Sequence, residues 1–343
     1  MQDWRNSFDA TQGGGATQPG PQGYSVGGEA GSALSYGQGS GPSAQPGQAG
    51  AHPSPQAPAT GSAAQPRREE RSKPIQVEGL VPLLELSNRI GHVYGSEDIG
   101  LLFYSLIRRE KPMNLVEVGT GLGVTALWMG QAVKENGGGK VWTLDDASQW
   151  QNPEQIKVAV APLLEVPPFD AFDLSDMDYA AFVQNCIHLL GLTKEVSFLQ
   201  KTLDPKQEAA FTPDNYVFLQ RPIDFLFLDV NRTPEDILNS LTLFLPHMAE
   251  SASIFIDSAS TSLTGYLFLE QLVEQLNRGK VPRRFTMAAA PERRQALSEL
   301  VATRRFTLMH LVERVARAQN STAWLRIEPN DYIPHPQTLM KWV

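Results

Sequence analysis

One segment of the chain places a strand, a glycine-rich turn, a helix and a second strand in direct succession. The apolar run Leu115–Val118 predicts a short buried strand, and the turn Gly119–Gly123 follows it at once. Helical spacing of apolar residues begins at Val124, and Val141–Leu144 predicts the second strand. Two strands joined through one helix form a βαβ unit, so this part of the chain is predicted to build a parallel sheet.

The same alternation of strand and helix patterns continues to the end of the chain. Further strands are predicted at residues 196–199, 223–229, 253–257, 306–312 and 322–327. Between them, Thr233-Pro234 predicts a helix start with a capping hydroxyl and a proline in the first turn. The last two strands are close in sequence and predict an antiparallel hairpin. The fold class is therefore α/β: a doubly wound, mostly parallel seven-stranded sheet with an antiparallel C-terminal hairpin.

Composition separates an N-terminal tail from this domain. Residues 1–66 hold 14 of the 28 glycines and 8 of the 25 prolines, but only four charged residues. Such a stretch cannot bury enough apolar surface to offset the entropy of ordering its backbone. We expect residues 1–74 to be a disordered Gly/Pro/Ser/Gln-rich tail and residues 75–343 to form one domain. Residues 147–180 are longer than a strand-to-helix connection needs, and we expect this inserted segment to be a lid or binding loop.

Charge and cysteine content narrow the partners and the compartment. Residues 1–74 carry five acids and five bases, so the domain carries the whole formal charge of −8, which disfavours a nucleic-acid partner. Cys186 is the only cysteine, which rules out an intrachain disulfide and a thiolate zinc cage. The polar start of the chain and the lack of a long apolar run predict neither a signal peptide nor a membrane span. We expect a cytoplasmic protein.

The glycine turn fits two nucleotide-binding patterns. Gly121-Leu122-Gly123-Val124-Thr125-Ala126 matches the dinucleotide fingerprint of nicotinamide-dependent enzymes, with Asp145 near the distance of a ribose-binding acid. In the other frame, Glu117 lies two residues before three alternating glycines. A carboxylate there repels a pyrophosphate but suits a cofactor with a cationic amino-acid portion. This favours S-adenosylmethionine over NAD, and Asp145 can then accept hydrogen bonds from both ribose hydroxyls. The predicted cofactor-binding residues are Glu117, Gly119, Thr120, Gly121, Gly123 and Asp145.

These motifs resemble the class I S-adenosylmethionine-dependent methyltransferases, and within them the catechol and caffeoyl-CoA type O-methyltransferases. The resemblance covers roughly residues 95–257 and the terminal hairpin. Its specific pieces are Glu117–Gly123, Thr143-Leu144-Asp145, Asp224–Arg232 (DFLFLDVNR) and Ile254–Ser258 (IFIDS). The resemblance implies a Rossmann-like methyltransferase fold and methyl transfer from S-adenosylmethionine to an oxygen of a small-molecule acceptor.

The resemblance also implies a divalent-metal site. Asp229, with Asp257 and Ser258, would hold Mg²⁺ or a similar cation that orients the acceptor hydroxyl, and Asp229 and Arg232 would be the catalytic residues. Independently, the two aspartates end neighbouring strands, so their carboxylates can reach one cation at the carboxyl edge of the sheet. Helix capping is the alternative role for acids at such positions. Ser258 replaces the family's asparagine, and Arg232 replaces its lysine and cannot act as a general base because arginine stays protonated.

Three functions therefore remain open. The first is an S-adenosylmethionine-dependent O-methyltransferase. The second is a methyltransferase fold retained for binding or scaffolding, which the changes at Arg232 and Ser258 favour. The third, an NAD-dependent oxidoreductase, rests on the dinucleotide fingerprint alone. We expect a small-molecule acceptor and neither nucleic acid nor membrane as partners, while a homodimer and a tail tethered to another protein are both compatible with the sequence.

Overall fold

The computed structural model describes residues 77–93, 98–173, 177–204, 208–229, 233–259, 263–286, 291–312 and 321–330. The predicted tail, residues 1–74, and the predicted catalytic residue Arg232 lie outside these ranges. Among the described residues, no helix combines the length and the apolar character that crossing a membrane requires.

Seven described strands form one sheet. In chain order they are β1 (Asn114–Val118), β2 (Lys140–Asp145), β3 (Val196–Gln200), β4 (Ile223–Leu228), β5 (Met248–Asp257), β6 (Arg304–Val312) and β7 (Ser321–Pro329). Their order across the sheet is β3-β2-β1-β4-β5-β7-β6. Strands β1 to β5 run parallel to one another, and β7 pairs antiparallel with both β5 and β6. The predicted doubly wound sheet with its antiparallel C-terminal hairpin is confirmed.

Helices cover both faces of this sheet. They are α1 (Val77–Ile90), α2 (Ile99–Glu110), α3 (Val124–Asn136), α4 (Pro153–Val160), α5 (Tyr179–Leu189), α6 (Pro234–Phe244), α7 (Leu263–Asn277), α8 (Arg283–Thr286) and α9 (Pro291–Thr303). The start of α6 is the one the sequence predicts, because the Thr233 hydroxyl accepts a hydrogen bond from the Asp236 N–H at 3.2 Å and Pro234 is the first helical residue.

Alternate residues of the central strands point into two separate hydrophobic cores. Leu115 and Phe225 face the core formed with α1, α2, α3 and α5, whereas Val116 and Leu226 face the core formed with α6, α7 and α9. On the first face, the buried ring of Phe103 from α2 lies 5.1 Å from the ring of Phe225. Burial on both faces explains why these strands are continuous apolar runs rather than alternating ones.

The segment between β2 and α5 packs into the first core. Ile156, Val160, Leu163 and Phe169 are each at most 1% exposed and contact the same cluster as α3. The Arg89 guanidinium on α1 also pairs with the Glu165 carboxylate at 2.8 Å. The described part of the inserted segment is therefore built into the scaffold, which differs from the lid or binding loop expected from its length, since its apolar residues make it a core element.

His247, which directly precedes β5, predicts a pH dependence of folding. Burial, and secondarily the nearby Arg293 cation, lower the pKa of this half-buried imidazole to about 4. The unfolded chain, with an ordinary histidine pKa near 6.5, therefore binds a proton that the folded chain does not bind between about pH 6.5 and pH 4. This group should reduce the free energy of unfolding as pH falls through that window. This loss of stability ends near pH 4, the pKa of His247 in the folded chain.

The measurement is urea unfolding of the wild-type chain and of His247→Gln at intervals from pH 7.5 to 4. We expect the wild-type chain to lose more stability than the variant on acidification, because glutamine does not titrate. Parallel pH curves for the two proteins would contradict the assignment.

Candidate functional site

The register of three central strands brings the predicted cofactor residues to one edge of the sheet. Val118 on β1 pairs with Leu144 on β2 and with Leu228 on β4. The next residues, Gly119, Asp145 and Asp229, therefore lie side by side at the carboxyl ends of parallel strands. Open α/β sheets bind their ligands at this edge, in the crevice between neighbouring strands.

Gly119 continues the sheet where no side chain fits. Its N–H donates to the Leu144 carbonyl at 2.8 Å, while the Asp229 N–H donates to the Val118 carbonyl at 2.8 Å. A Cβ on Gly119 would lie 2.1 Å from the backbone oxygen of Asp229, and its φ of 93° is in the left-handed region. Glycine is thus required here both by conformation and by the close approach of two backbones.

Gly123 ends the turn and begins α3. Its φ is 81°, and its carbonyl accepts the Leu127 N–H at 3.0 Å as the first turn of the helix forms. The structure shows no side chain capping this helix start. Since no capping side chain bonds to them, the N–H groups of the first turn could bind an anionic or polar ligand group.

The Glu117 carboxylate lies beneath this turn, fully buried. Its Oε2 accepts a hydrogen bond from the Thr143 hydroxyl, and its Oε1 is buried with no hydrogen-bond partner among the described residues. Burial raises the pKa of Glu117 well above its usual value. The nearby Asp229 and Asp145 carboxylates add to this rise, and the Thr143 hydrogen bond opposes it. A buried carboxylate with one unpaired oxygen is costly unless a donor or a cation reaches it.

The Asp145 carboxylate holds the glycine turn in place. Oδ2 accepts the Thr120 N–H at 2.9 Å and the Gly121 N–H at 3.2 Å, and Oδ1 accepts the Ala147 N–H at 2.8 Å. A carboxylate offers about four acceptor positions, so the three bonds leave roughly one, on Oδ1. In this arrangement Asp145 can take one further donor rather than the two ribose hydroxyls expected from the sequence.

Tyr179, which the sequence does not mark as a site residue, also contacts the turn. Its hydroxyl donates to the Gly121 carbonyl at 2.8 Å, and its ring stacks on Trp150 at 6.1 Å between ring centroids. Asp178 caps the helix that Tyr179 begins, accepting the Ala181 N–H at 2.7 Å. The capping residue Asp178 is the only sequence feature that indicates a helix beginning at Tyr179. The partner of the Tyr179 hydroxyl lies 58 residues away in the chain, so only the fold reveals this contact.

The predicted metal-binding acids end the next two strands. Leu228 pairs with Ile256, so Asp229 follows β4 at the level where Asp257 completes β5. The Ser258 hydroxyl donates to Asp257 Oδ2 at 2.7 Å, and Ser258 has a φ of 52°. Among the described residues, no three or more His, Cys, Asp or Glu side chains form a group that could hold a metal ion. The metal role of these residues therefore stays a prediction.

The sheet order, the glycine turn and the acid that ends β2 together define a Rossmann-like fold. In agreement, residues 116–259 match a family model described as a methyltransferase domain. This match spans the segment from β1 through Ser258 and contains every predicted site residue. The resemblance to methyltransferases is confirmed at the level of this domain.

Solved structures of methyltransferases are similar at low identity. TomG from Streptomyces achromogenes, an O-methyltransferase in complex with SAM, is 15% identical with a TM-score of 0.38, covering 72% of this chain and 89% of that one. An SAH-bound Podospora anserina methyltransferase is 14% identical with a TM-score of 0.39, covering 77% and 92%. A Bacillus cereus O-methyltransferase in complex with SAH is 14% identical with a TM-score of 0.38, covering 74% and 91%. No curated protein matches the chain.

The close approach at Gly119 predicts a severe effect of a single methyl group. Gly119→Ala places a Cβ 2.1 Å from the Asp229 carbonyl oxygen in an unfavourable backbone conformation, and we expect it to lower the free energy of unfolding by about 2 kcal/mol or more. The matched control is Gly138→Ala, whose Cβ would meet only the Met113 side chain at an ordinary 3.5 Å. Urea unfolding of both variants measures the difference, and equal stabilities would refute the assigned contact.

Proposed function

We propose that this protein transfers a methyl group from S-adenosylmethionine to an oxygen atom of a small-molecule acceptor. The observation that carries the proposal is the buried Glu117 carboxylate under the glycine turn, whose Oε1 has no partner among the described residues, within a domain that matches a methyltransferase family. The ammonium group of a methionine moiety is a cation of suitable size for that oxygen. A dinucleotide pyrophosphate would instead be repelled, which argues against NAD.

The remaining cofactor residues are assigned by the same chemistry. Gly119, Thr120, Gly121 and Gly123 form the turn along which the cofactor would lie, and Asp145 would accept a ribose hydroxyl at its remaining Oδ1 position. When bound, S-adenosylmethionine supplies a methyl group activated by its sulfonium charge. The chain's own contribution is to hold that group in line with the acceptor oxygen and to exclude water from it.

We further propose that Asp229, Asp257 and Ser258 bind Mg²⁺ or another divalent cation. Two carboxylates and a hydroxyl are oxygen donors of the kind that Mg²⁺ prefers, and the Ser258 oxygen keeps its lone pairs while its proton bonds to Asp257. A cation there would lower the pKa of the acceptor hydroxyl. Arg232, which cannot accept a proton, would then only orient or neutralise the developing oxyanion.

A second candidate is a methyltransferase fold used for binding or scaffolding. The serine at position 258 and the arginine at position 232 favour it, since both weaken metal-assisted catalysis while leaving the cofactor site intact. In either case we propose that residues 1–74 form a tail and that their removal does not lower the affinity for the cofactor. The tail could tether the domain to another protein, and a homodimer is compatible with both candidates.

Cofactor binding is tested by calorimetric titration with S-adenosylmethionine, S-adenosylhomocysteine and NAD. We expect both sulfur ligands to bind and NAD not to bind. Glu117→Gln should raise the dissociation constant of S-adenosylhomocysteine by about tenfold or more, because a neutral amide replaces the carboxylate that faces the ammonium. Asp146→Asn is the matched control, since Asp146 is an exposed acid whose described hydrogen bond is to Ser148 in its own turn. NAD binding without binding of the sulfur ligands would overturn the proposal.

Metal dependence is tested by turnover of a panel of hydroxylated aromatic acceptors, catechol-like phenols among them. We expect activity that requires added Mg²⁺, that is lost in Asp229→Asn and in Asp257→Asn, and that persists in Arg232→Lys. Full turnover in excess EDTA would show that the reaction needs no divalent cation and would contradict the proposed metal site. Tight cofactor binding without turnover on any acceptor would support the scaffold candidate instead.

A further inference from the structure

Thr143 lies at the centre of a buried chain of hydrogen bonds on the floor of the site. Its hydroxyl donates to Glu117 Oε2 and lies 2.5 Å from the hydroxyl oxygen of Thr120. Thr143 has one hydroxyl proton, which it donates to Glu117. Thr120 is therefore the donor in the second bond. The chain therefore runs in one direction, from the glycine turn through β2 to the carboxylate on β1.

This arrangement fixes how the Glu117 carboxylate is presented. Glu117 and Thr143 are 0% exposed and Thr120 is 4% exposed, so water does not compete for these bonds. Register pairs Glu117 directly with Thr143, which places both side chains on the same face of the sheet. With Oε2 held by Thr143, the other oxygen, Oε1, is the one left for an incoming ligand.

We propose that Thr143 is a positioning residue that orients Glu117 so that Oε1 receives the amino group of the cofactor's methionine portion. This inference rests on the proposed function, because it assumes that the cofactor carries an amino-acid portion. Thr143 itself touches no ligand atom in this account. Its effect is on selectivity for ligands with an amino group, which distinguishes it from a residue that only fills the core.

The physical reason is the loss of freedom at the carboxylate. Without the hydroxyl at position 143, Glu117 has no described hydrogen-bond donor to its side chain and can rotate between orientations inside the core. Hydrogen bonds to charged groups are strong and directional, so a carboxylate that is not held in place binds an ammonium less tightly. Valine has nearly the same shape as threonine, so Thr143→Val removes the bond while conserving volume.

The experiment compares two ligands on the full chain by calorimetry. One is S-adenosylhomocysteine, and the other is its analogue with hydrogen in place of the α-amino group. The ratio of their dissociation constants measures recognition of the amino group. We expect Thr143→Val to reduce this ratio by about tenfold, and Thr143→Ser, which keeps the hydroxyl, to leave it within about twofold of the wild-type ratio.

The outcomes separate this inference from the function on which it rests. If Thr143→Val leaves the ratio unchanged, including the case in which both ligands bind equally more weakly, Thr143 has only a structural role. That result would overturn the inference alone. A wild-type chain that binds neither ligand would overturn the proposed function, and with it the inference. A wild-type ratio near one would show that Glu117 does not bind the amino group.

Thermal unfolding of each variant accompanies the titrations. If Thr143→Val does not fold, Thr120→Val tests the same chain of hydrogen bonds from its other end. That variant removes the donor to Thr143 and should reduce the ratio in the same direction, by less than the loss of Thr143. An unchanged ratio in Thr120→Val would contradict the proposal.

Discussion

The site depends on a buried carboxylate that no cationic side chain contacts in the described part of the chain. Glu117 lies in the central strand of the sheet and is fully buried, and the Thr143 hydroxyl is the only described group that bonds to its side chain. Burial raises its pKa, and two neighbouring acids increase the rise further. A core that served stability alone would be better built with an apolar residue at this position. The loss of stability from burying this carboxylate is explained if a ligand supplies the compensating cation.

The glycine turn lies at the edge of the sheet, where the strand ends meet. Gly119 lets β1 pass the backbone of Asp229 at a distance that no side chain allows, so the turn begins at the level of the strand ends. Asp145 then holds the turn by three backbone hydrogen bonds. The same acid therefore shapes the turn and would meet the ligand's ribose, which couples the geometry of the turn to ligand binding. The Tyr179 hydroxyl adds a further bond to the turn, at the Gly121 carbonyl.

Local sequence patterns were sufficient to predict the type of the sheet and the succession of its strands along the chain. The strands are continuous apolar runs, and the glycine turn and the Thr233-Pro234 cap have local physical causes, so each could be read without tertiary information. The start of β5 was missed by five residues: its first part, with exposed Glu250 and Ser251, lacks an apolar pattern and is a strand only because it follows its neighbours. The packing of the inserted segment was missed for a related reason, since length alone suggested a loop.

The roles of individual site residues were harder to predict, because they depend on cross-strand register. Thr143 was part of a recognised motif, yet nothing in the sequence places its hydroxyl on Glu117, 26 residues away. Asp145 was predicted as a ribose ligand, whereas its three bonds to the turn appear only once the strands are aligned. Residues whose function follows from one motif can thus be named from sequence, and those that act through a neighbouring strand cannot.

The most direct measurement is a crystal structure of the protein with S-adenosylhomocysteine bound. The account predicts the α-amino nitrogen of the ligand within hydrogen-bonding distance of Glu117 Oε1, about 3 Å, with the Thr143 hydroxyl still on Oε2. A ligand whose amino nitrogen binds elsewhere, leaving Glu117 Oε1 without a partner, would contradict it.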